Sequence, residues 1–298
     1  MTPHARPIAF LVCAVGIGSY SGMDAFMKGL TLRLGVYDAM LWRALIGFAM
    51  AGTMWLARGV SRPSAAVLRM HATRGVVMTV MALLFFWGLA RVPMAQAVAL
   101  TFVAPLLSLF LSALLLKERI GVATVAGSLA ALAGVGVILA GQASAPAGPE
   151  VMPGVAAILA SALLYAFNIV LMRRQALSAG PIDIAFYQYG MMSACLALAA
   201  PFAADVPAAG ELPALAAAAV LALAAALLMA WAYARAEASY LAMTEYTAFI
   251  WAALLGWLMF GEGVTMATLA GAALIVGGCL AAIWRRPLPP LANAEAAA

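Results

Sequence analysis

The sequence predicts an all-α integral membrane protein whose ten transmembrane helices form two inverted repeats of five helices each. Three observations support this prediction: a very apolar composition, ten apolar segments of membrane-spanning length, and a self-similarity between the two halves of the chain. Hydrophobic residues make up 67% of the 298 residues and charged residues 9%, whereas soluble domains carry about 25% charged residues. A chain this poor in charge cannot cover a folded domain with a water-facing surface.

Ten segments of about 20 mostly apolar residues, the length that crosses a bilayer, follow one another along the chain. Prolines and glycines punctuate the breaks between them, as at Val92-Pro93 and Gly180-Pro181. The predicted spans are 8–30, 38–57, 70–90, 94–116, 120–140, 153–172, 182–203, 213–234, 240–260 and 264–284. The predicted domains are a first repeat over 1–141, a linker over 142–152, a second repeat over 153–286 and a disordered cytoplasmic tail over 287–298.

The distribution of basic residues predicts that both termini lie in the cytoplasm. With that orientation, the cytoplasmic segments hold eleven Lys and Arg residues, and the outside segments hold three. Cytoplasmic loops of membrane proteins are enriched in Lys and Arg, so this bias favours the ten-span topology.

The two halves of the chain resemble each other at an offset of 144 to 145 residues. Matches of Ala and Leu occur by chance in such a chain, so the rarer residues decide the alignment. Because each repeat has five spans, an odd number, the second copy enters the membrane from the opposite side, as in many secondary transporters. The informative pairs are Tyr20/Tyr165, Lys28/Arg173, Asp38/Asp183, Trp87/Trp231, Arg91/Arg235, Glu118/Glu262, Gly127/Gly271 and Gly134/Gly278.

The loop charges change between the two copies in the way that inversion requires. Lys-Glu-Arg at 117–119, in a predicted cytoplasmic loop, aligns with Gly-Glu-Gly at 261–263, in a predicted outside loop. The basic residues disappear where the loop lies outside, but the glutamate remains. We therefore interpret Glu118 and Glu262 as structural residues that hold loop amides.

A motif of proline, glutamate and glycines occurs in both halves of the chain, with one change in the second. Its residues are Pro105, Glu118, Gly127 and Gly134 in the first copy and Phe249, Glu262, Gly271 and Gly278 in the second. This motif resembles the hallmark of the EamA-type domain of the drug/metabolite transporter superfamily. Two such domains in tandem give the ten spans typical of that family, so the resemblance covers nearly the whole chain.

The resemblance implies a small-molecule transporter of a bacterial inner membrane. We expect no cofactor, and the sequence leaves the oligomeric state open, with a monomer as one possibility. In the detail of its sequence the chain is similar to the YddG-type exporters. This similarity implies export of aromatic and other neutral amino acids. Efflux of drugs, organic cations or other metabolites is the alternative within the same superfamily. The family's architecture also implies a central cavity lined by spans one, three, four, six, eight and nine, with spans five and ten at the periphery.

Four charged residues lie well inside predicted spans, where charge is costly and function is the first hypothesis. Asp24 could serve the substrate, pair with Lys28 four residues further on, or pair with Arg43 at a similar depth in span two. Arg74 and Glu245 lie at similar depths in spans three and nine, so they could neutralise each other or handle substrate and protons. Coupling to protons stays open, because the spans contain no matched cluster of acidic residues.

Polar and aromatic side chains within the spans could line a cavity, although plain packing also explains each one individually. Tyr20 and Tyr165 are repeat mates on the first helix of each half, and the amides of Gln96 and Asn168 need hydrogen-bond partners at their depth. An apolar, aromatic cavity with a few polar groups suits a small, partly apolar solute. The predicted cavity residues are Tyr20, Asp24, Gln96, Thr101, Tyr165, Asn168, Glu245 and Tyr246.

Other classes of protein are disfavoured by the residues present. The two histidines, His4 and His71, lie near no nucleophile motif and no second metal ligand, which argues against an enzyme and against a metal site. The sequence contains no ring of like charges of the kind that would indicate a channel. Its basic residues do not interleave with aromatic ones as they do in nucleic-acid-binding proteins. Nucleotide sugars would need a more basic cavity than Arg43 and Arg74 provide. The expected partners are a small solute and the lipid bilayer.

Overall fold

The structure is a computed structural model, and the regular structure of its described residues is helical throughout. The described residues are 5–59, 63–104, 107, 111, 122–143, 148–176, 178–235, 241, 244 and 247–284. Within them the longer helices are α1 (Ala5–Leu34), α2 (Val36–Arg58), α3 (Ala65–Leu89), α4 (Met94–Thr101), α5 (Val122–Ala143), α6 (Val151–Ala176), α7 (Pro181–Ala197), α8 (Leu212–Tyr233), α9 (Thr247–Phe260) and α10 (Met266–Trp284). Short helical turns occur at Ala200–Ala203 and Ala209–Glu211.

Several helices are long and apolar enough to cross a membrane. By length and composition, five described segments qualify: Ile8–Leu34, Val36–Arg58, Ala65–Leu89, Val151–Ala176 and Ala209–Tyr233. The shorter apolar helices are Thr247–Phe260 and Met266–Gly278. Together these segments overlap seven of the predicted spans. The prediction of a membrane protein with multiple apolar helices is therefore confirmed, whereas the count of ten spans stays a prediction.

One predicted span ends early in the structure and another is interrupted, and each break lies four residues before a proline. In the span predicted over 182–203, α7 ends at Ala197, because Pro201 lacks an amide hydrogen and its ring crowds the Ala197 carbonyl. In the fourth span the helix is interrupted after Thr101, whose carbonyl is the one that a proline at position 105 deprives of an amide partner, and the described residues 103, 104, 107 and 111 are helical again. Pro105 itself lies outside the described residues.

A single residue, Gly35, joins α1 to α2. Its φ of 81° lies in the left-handed region, which glycine adopts without the steric penalty that a β-carbon imposes. The reversal at Gly35 sets the two helices side by side and places Asp24 and Arg43 at comparable distances from the turn. At 1.5 Å of rise per residue, both lie roughly 12–17 Å from it along their helices.

Each half of the chain packs against the other through pairs of helices. The pairs are α1 with α8, α2 with α7, α3 with α6, α4 with α9 and α5 with α10. In the last pair, a β-carbon added at Gly134 would lie 2.5 Å from the carbonyl oxygen of Gly271. A β-carbon added at Gly271 would lie 2.6 Å from the carbonyl oxygen of Gly134. The two backbones therefore meet at these glycines, as small residues permit in membrane helix packing.

Side-chain contacts tie the connections between helices together at two opposite ends of the bundle. At the end that we call the Glu211 end, the Arg33 guanidinium donates to the Glu211 carboxylate at 2.9 Å. At the end that we call the Asp183 end, the Trp55 indole donates to Asp183 Oδ1 at 3.0 Å. The connections at Gly35, 90–93, 148–150, 204–211 and 261–265 lie at the Glu211 end, and these are the ones predicted to lie outside the cell.

Candidate functional site

A cavity of about 200 Å³ lies between helices α1 to α4 and α6 to α9. A space of this size holds a small solute or several water molecules, each of which takes about 30 Å³. Most of its wall is apolar, and three charged side chains interrupt it: Asp24, Arg43 and Arg74. The other residues that give the wall its chemistry are Tyr20, Met78, Met81, Phe85, Phe86, Thr101, Ser161, Tyr165, Asn168, Gln188, Tyr189 and Met192.

Five of the predicted cavity residues lie in this wall: Tyr20, Asp24, Thr101, Tyr165 and Asn168. Their role in binding a substrate stays a prediction. Gln96 is buried in α4 but does not line the cavity, and Glu245 and Tyr246 lie outside the described residues.

The described residues of the repeated motif do not line the cavity wall. Gly127 and Gly134 belong to α5, Gly271 and Gly278 belong to α10, and Glu262 follows α9. Pro105 and Glu118 lie outside the described residues.

The cavity extends to two helices beyond the six that the family's architecture implies. Arg43 enters it from α2, and Gln188, Tyr189 and Met192 enter it from α7. Tyr189 lies against the backbone of α2, where a β-carbon at Gly47 would come within 2.6 Å of its ring. Sequence reasoning missed the α7 residues, because a Gln, a Tyr and a Met within a span look like ordinary packing residues. The position of Gly47 was the available signal, since it marks where a large side chain meets α2.

Arg74 is held by neutral amide groups. Its side chain is buried, with 4% exposed, and its Nε donates to Asn168 Oδ1 at 3.0 Å. Its Nη1 donates to Gln175 Oε1 at 2.5 Å, and the amide of Gln175 in turn contacts the ring of His71. Arg and His come from α3, and both amides come from α6. The guanidinium of Arg74 is thus fixed in place at the Asp183 side of the cavity.

Arg43 is buried to the same degree but is held much more weakly. Its Nη2 faces the thioether sulfurs of Met40 at 3.4 Å and Met192 at 3.7 Å, and sulfur is a weak acceptor. Among the described residues, its Nε has no hydrogen-bond partner. The ring of Phe86 lies 5.9 Å from the guanidinium carbon, within the range of a cation–π contact. Donors of a fully charged group therefore stay available beside the cavity.

Asp24 lies in the wall of the same cavity and is partly exposed. Asp24 and Arg43 share this wall. The alternative pairing with Lys28 is wrong, because the Lys28 ammonium binds elsewhere. It donates to the carbonyl oxygen of Val92 at 2.8 Å and forms an ion pair with Glu262.

Glu262 joins three parts of the chain at the Glu211 end. One carboxylate oxygen pairs with Lys28 of α1, and the other accepts the backbone N–H of Met94 at 2.7 Å. Met94 begins α4, where the first amide groups of a helix lack partners within the helix. The carboxylate therefore caps α4 and ties it to α1 and to the connection after α9.

The structure gives no indication of a metal centre, since no three His, Cys, Asp or Glu side chains among the described residues cluster in a way that could hold an ion. The polar groups of the cavity are instead suited to a solute that carries charge of its own.

Comparison with protein families gives the class of the protein. The sequence profile of the EamA-like transporter family matches residues 7–140 and again residues 152–284. The chain belongs to the EamA-like transporter family. A crystal structure of another protein resembles this EamA-like transporter with a TM-score of 0.66 and 25% sequence identity, over 93% of this chain and 98% of that chain. Comparison with curated proteins gives no match.

Family membership makes the chain a transporter of the drug/metabolite transporter superfamily. EamA-like transporters are in general not enzymes, in agreement with the expectation drawn from the sequence. For this EamA-like transporter, the cavity with its charged side chains is the natural place for a solute to bind. The family alone does not specify which solute that is.

Proposed function

We propose that this EamA-like transporter exports neutral amino acids, including large apolar and aromatic ones, across the inner membrane of a bacterium. The observation that carries the proposal is the composition of the cavity, in which both signs of charge lie amid methionine and aromatic side chains. A zwitterionic amino acid needs anchors of both signs for its backbone groups and an apolar surface for its side chain. Asp24 and Arg43 supply the anchors, and Met78, Phe86 and Tyr189 supply part of the surface.

The proposed mechanism is alternating access by two inverted repeats of five spans each. The two profile matches, offset by 144 to 145 residues, support it. So does the packing: α2–α7, α4–α9 and α5–α10 each pair a helix with its repeat mate, and a two-fold axis would exchange α1–α8 with α3–α6. Substrate sites of such transporters lie near the midplane between the repeats. Rocking of one repeat against the other would open the cavity first to the cytoplasm and then to the outside.

An organic cation fits this cavity less well than an amino acid does. Two buried guanidinium groups, those of Arg43 and Arg74, lie in its wall and repel a positive solute, while Asp24 alone among the described wall residues attracts one. Efflux of organic cations is therefore the less favoured alternative, and a transport experiment must include an organic cation in order to detect it.

The test is transport by the purified protein in proteoliposomes. Vesicles preloaded with unlabelled phenylalanine are diluted into labelled phenylalanine, and a parallel set receives labelled tetraphenylphosphonium. We expect labelled phenylalanine to enter faster than into vesicles without protein, and leucine to compete. Movement of the organic cation without movement of any amino acid would overturn the proposal.

Vesicles that contain no phenylalanine, with an imposed pH gradient, reveal the energy coupling. Accumulation of phenylalanine above its equilibrium level would show proton coupling. Faster equilibration without accumulation would show facilitated exit down a gradient.

A further inference from the structure

We infer that Arg43 is the residue that binds the carboxylate of the substrate, and that Asp24 binds its ammonium group. This inference rests on the proposed function and assigns the binding of each charged end to one side chain. It also separates the two cavity arginines, which the sequence does not distinguish, into a binding residue and a structural residue.

The hydrogen bonds of the two arginines carry the distinction. Two of Arg74's nitrogens already donate to the side-chain oxygens of Asn168 and Gln175. Among the described residues, the Nε of Arg43 has no hydrogen-bond partner, and its Nη2 faces two thioether sulfurs. A guanidinium has five N–H donors, and leaving donors of a charged group unsatisfied away from water is costly. A bound carboxylate would satisfy the Nε of Arg43, whereas the Nε of Arg74 and one N–H of its Nη1 already donate to side-chain oxygens, so Arg74 gains less from a carboxylate.

The surroundings of Arg43 position the side chain without blocking it. The sulfurs of Met40 and Met192 and the ring of Phe86 are among the described groups that contact its guanidinium. Methionine side chains are flexible and adapt easily to a neighbour that moves. The guanidinium can therefore turn toward a planar carboxylate and bind it through two parallel N–H···O bonds.

Asp24 determines which anions fit beside Arg43. Its carboxyl group lines the same small cavity as Arg43, so the second anionic oxygen of a dianion such as a phosphate ester would lie near carboxyl oxygens there. An α-amino acid carries its positive group next to its negative one and can present the ammonium to Asp24 and the carboxylate to Arg43. The pair of side chains thus selects a zwitterionic head group, and the apolar wall receives the rest of the molecule.

Analogues of phenylalanine test the inference on the unaltered protein. Four compounds are compared as inhibitors of phenylalanine exchange: phenylalanine, its amide, 3-phenylpropionate and 2-phenylethylamine. We expect phenylalanine to inhibit best, and 3-phenylpropionate, which keeps the carboxylate, to inhibit better than the amide or the amine. Equal inhibition by the amide and by phenylalanine would overturn the role of a carboxylate-binding arginine.

Variants then assign the carboxylate to one residue. Arg43→Gln should raise the KM for phenylalanine roughly 30-fold or more, the loss expected when one partner of a buried charge pair is removed. In this variant 3-phenylpropionate should no longer inhibit better than the amide. Arg43→Lys keeps the charge but not the two parallel donors, so it should recover part of the affinity. Asp24→Asn should remove the contribution of the ammonium group to binding. Phenylalanine should then lose its advantage as an inhibitor over 3-phenylpropionate, which lacks that group.

The matched control is Arg33→Gln, which removes an arginine from the same helix as Asp24 at an exposed ion pair with Glu211. It should leave the KM unchanged. An unchanged KM and unchanged analogue order in both Arg43 variants would overturn the inference while the proposed function survives. Absence of exchange with the unaltered protein would overturn both. Should Arg43→Gln fail to fold, as judged by size exclusion, the Arg43→Lys variant and the analogue series decide the matter.

Discussion

The contact between α5 and α10 gives a prediction with a magnitude that follows from the geometry. A β-carbon at Gly134 would lie 2.5 Å from the Gly271 carbonyl oxygen, while ordinary contact begins at 3.4 Å. Gly134→Ala therefore forces the two helices apart by about 0.9 Å, since backbone atoms on the partner helix cannot rotate away. Overpacking of this kind costs about 1–3 kcal/mol.

Gly136 provides a control on the same helix, because no described atom lies within 4 Å of the β-carbon that alanine would add there. Alanine is favoured over glycine within a helix by about 0.5–1 kcal/mol, and both substitutions gain this amount. The difference in unfolding free energy between Gly134→Ala and Gly136→Ala therefore isolates the packing cost, about 1–3 kcal/mol. A second pair on α10, Gly271→Ala and Gly277→Ala, should behave in the same way.

The assay is thermal unfolding of the purified variants in detergent, followed by circular dichroism and by the monodisperse fraction after heating. Gly136→Ala should unfold at or above the temperature of the parent protein, and Gly134→Ala clearly below it. Equal midpoints for the two variants would refute the close approach of α5 and α10 at these glycines.

Three further predictions concern topology and buried charge. In a cysteine-free background, Gly210→Cys should react with an impermeant thiol reagent from outside the cell and Ser178→Cys only from the cytoplasm; reaction of both from one side would exclude the proposed topology. Arg74→Gln and Glu245→Gln should each destabilise the protein, and the double variant should recover part of the loss if the two residues pair; strictly additive losses would show that they act independently. Glu262→Gln should lower the stability by about 1–3 kcal/mol, because Lys28 is buried with its charge and loses its counterion. The exchanged pair Lys28→Glu with Glu262→Lys should recover only part of that loss, since a lysine cannot accept the Met94 amide; no recovery at all would argue against the ion pair.

The features of the fold that the sequence predicts well are those with a local cause. Apolar length identifies the helices, and the glycine at 35 accounts for the turn between α1 and α2. The early end of α7 also has a local cause in Pro201, although apolar length alone favoured an unbroken span. Proline position is therefore a better guide than hydropathy to where these helices end.

The contacts of the candidate site could be predicted only in part. Asp24, Arg43 and Arg74 stand out because charge within a span is costly, and all three line the cavity. The partner of Lys28 could not be predicted, since Glu262 lies 234 residues away and the local i,i+4 pattern favours Asp24. The sequence also cannot distinguish Arg43 from Arg74, because their hydrogen-bond partners differ and those partners come from other parts of the chain.

Access to the cavity from both sides of the membrane tests the central claim most directly. Ser161 lies in the cavity wall on α6, and Ser161→Cys in the cysteine-free protein places a small reactive group there. We expect membrane-impermeant thiol reagents to label this cysteine in right-side-out vesicles and also in inverted ones, and we expect phenylalanine to slow the reaction in both. Labelling from one side alone, at a rate that phenylalanine does not change, would contradict transport of amino acids through this cavity.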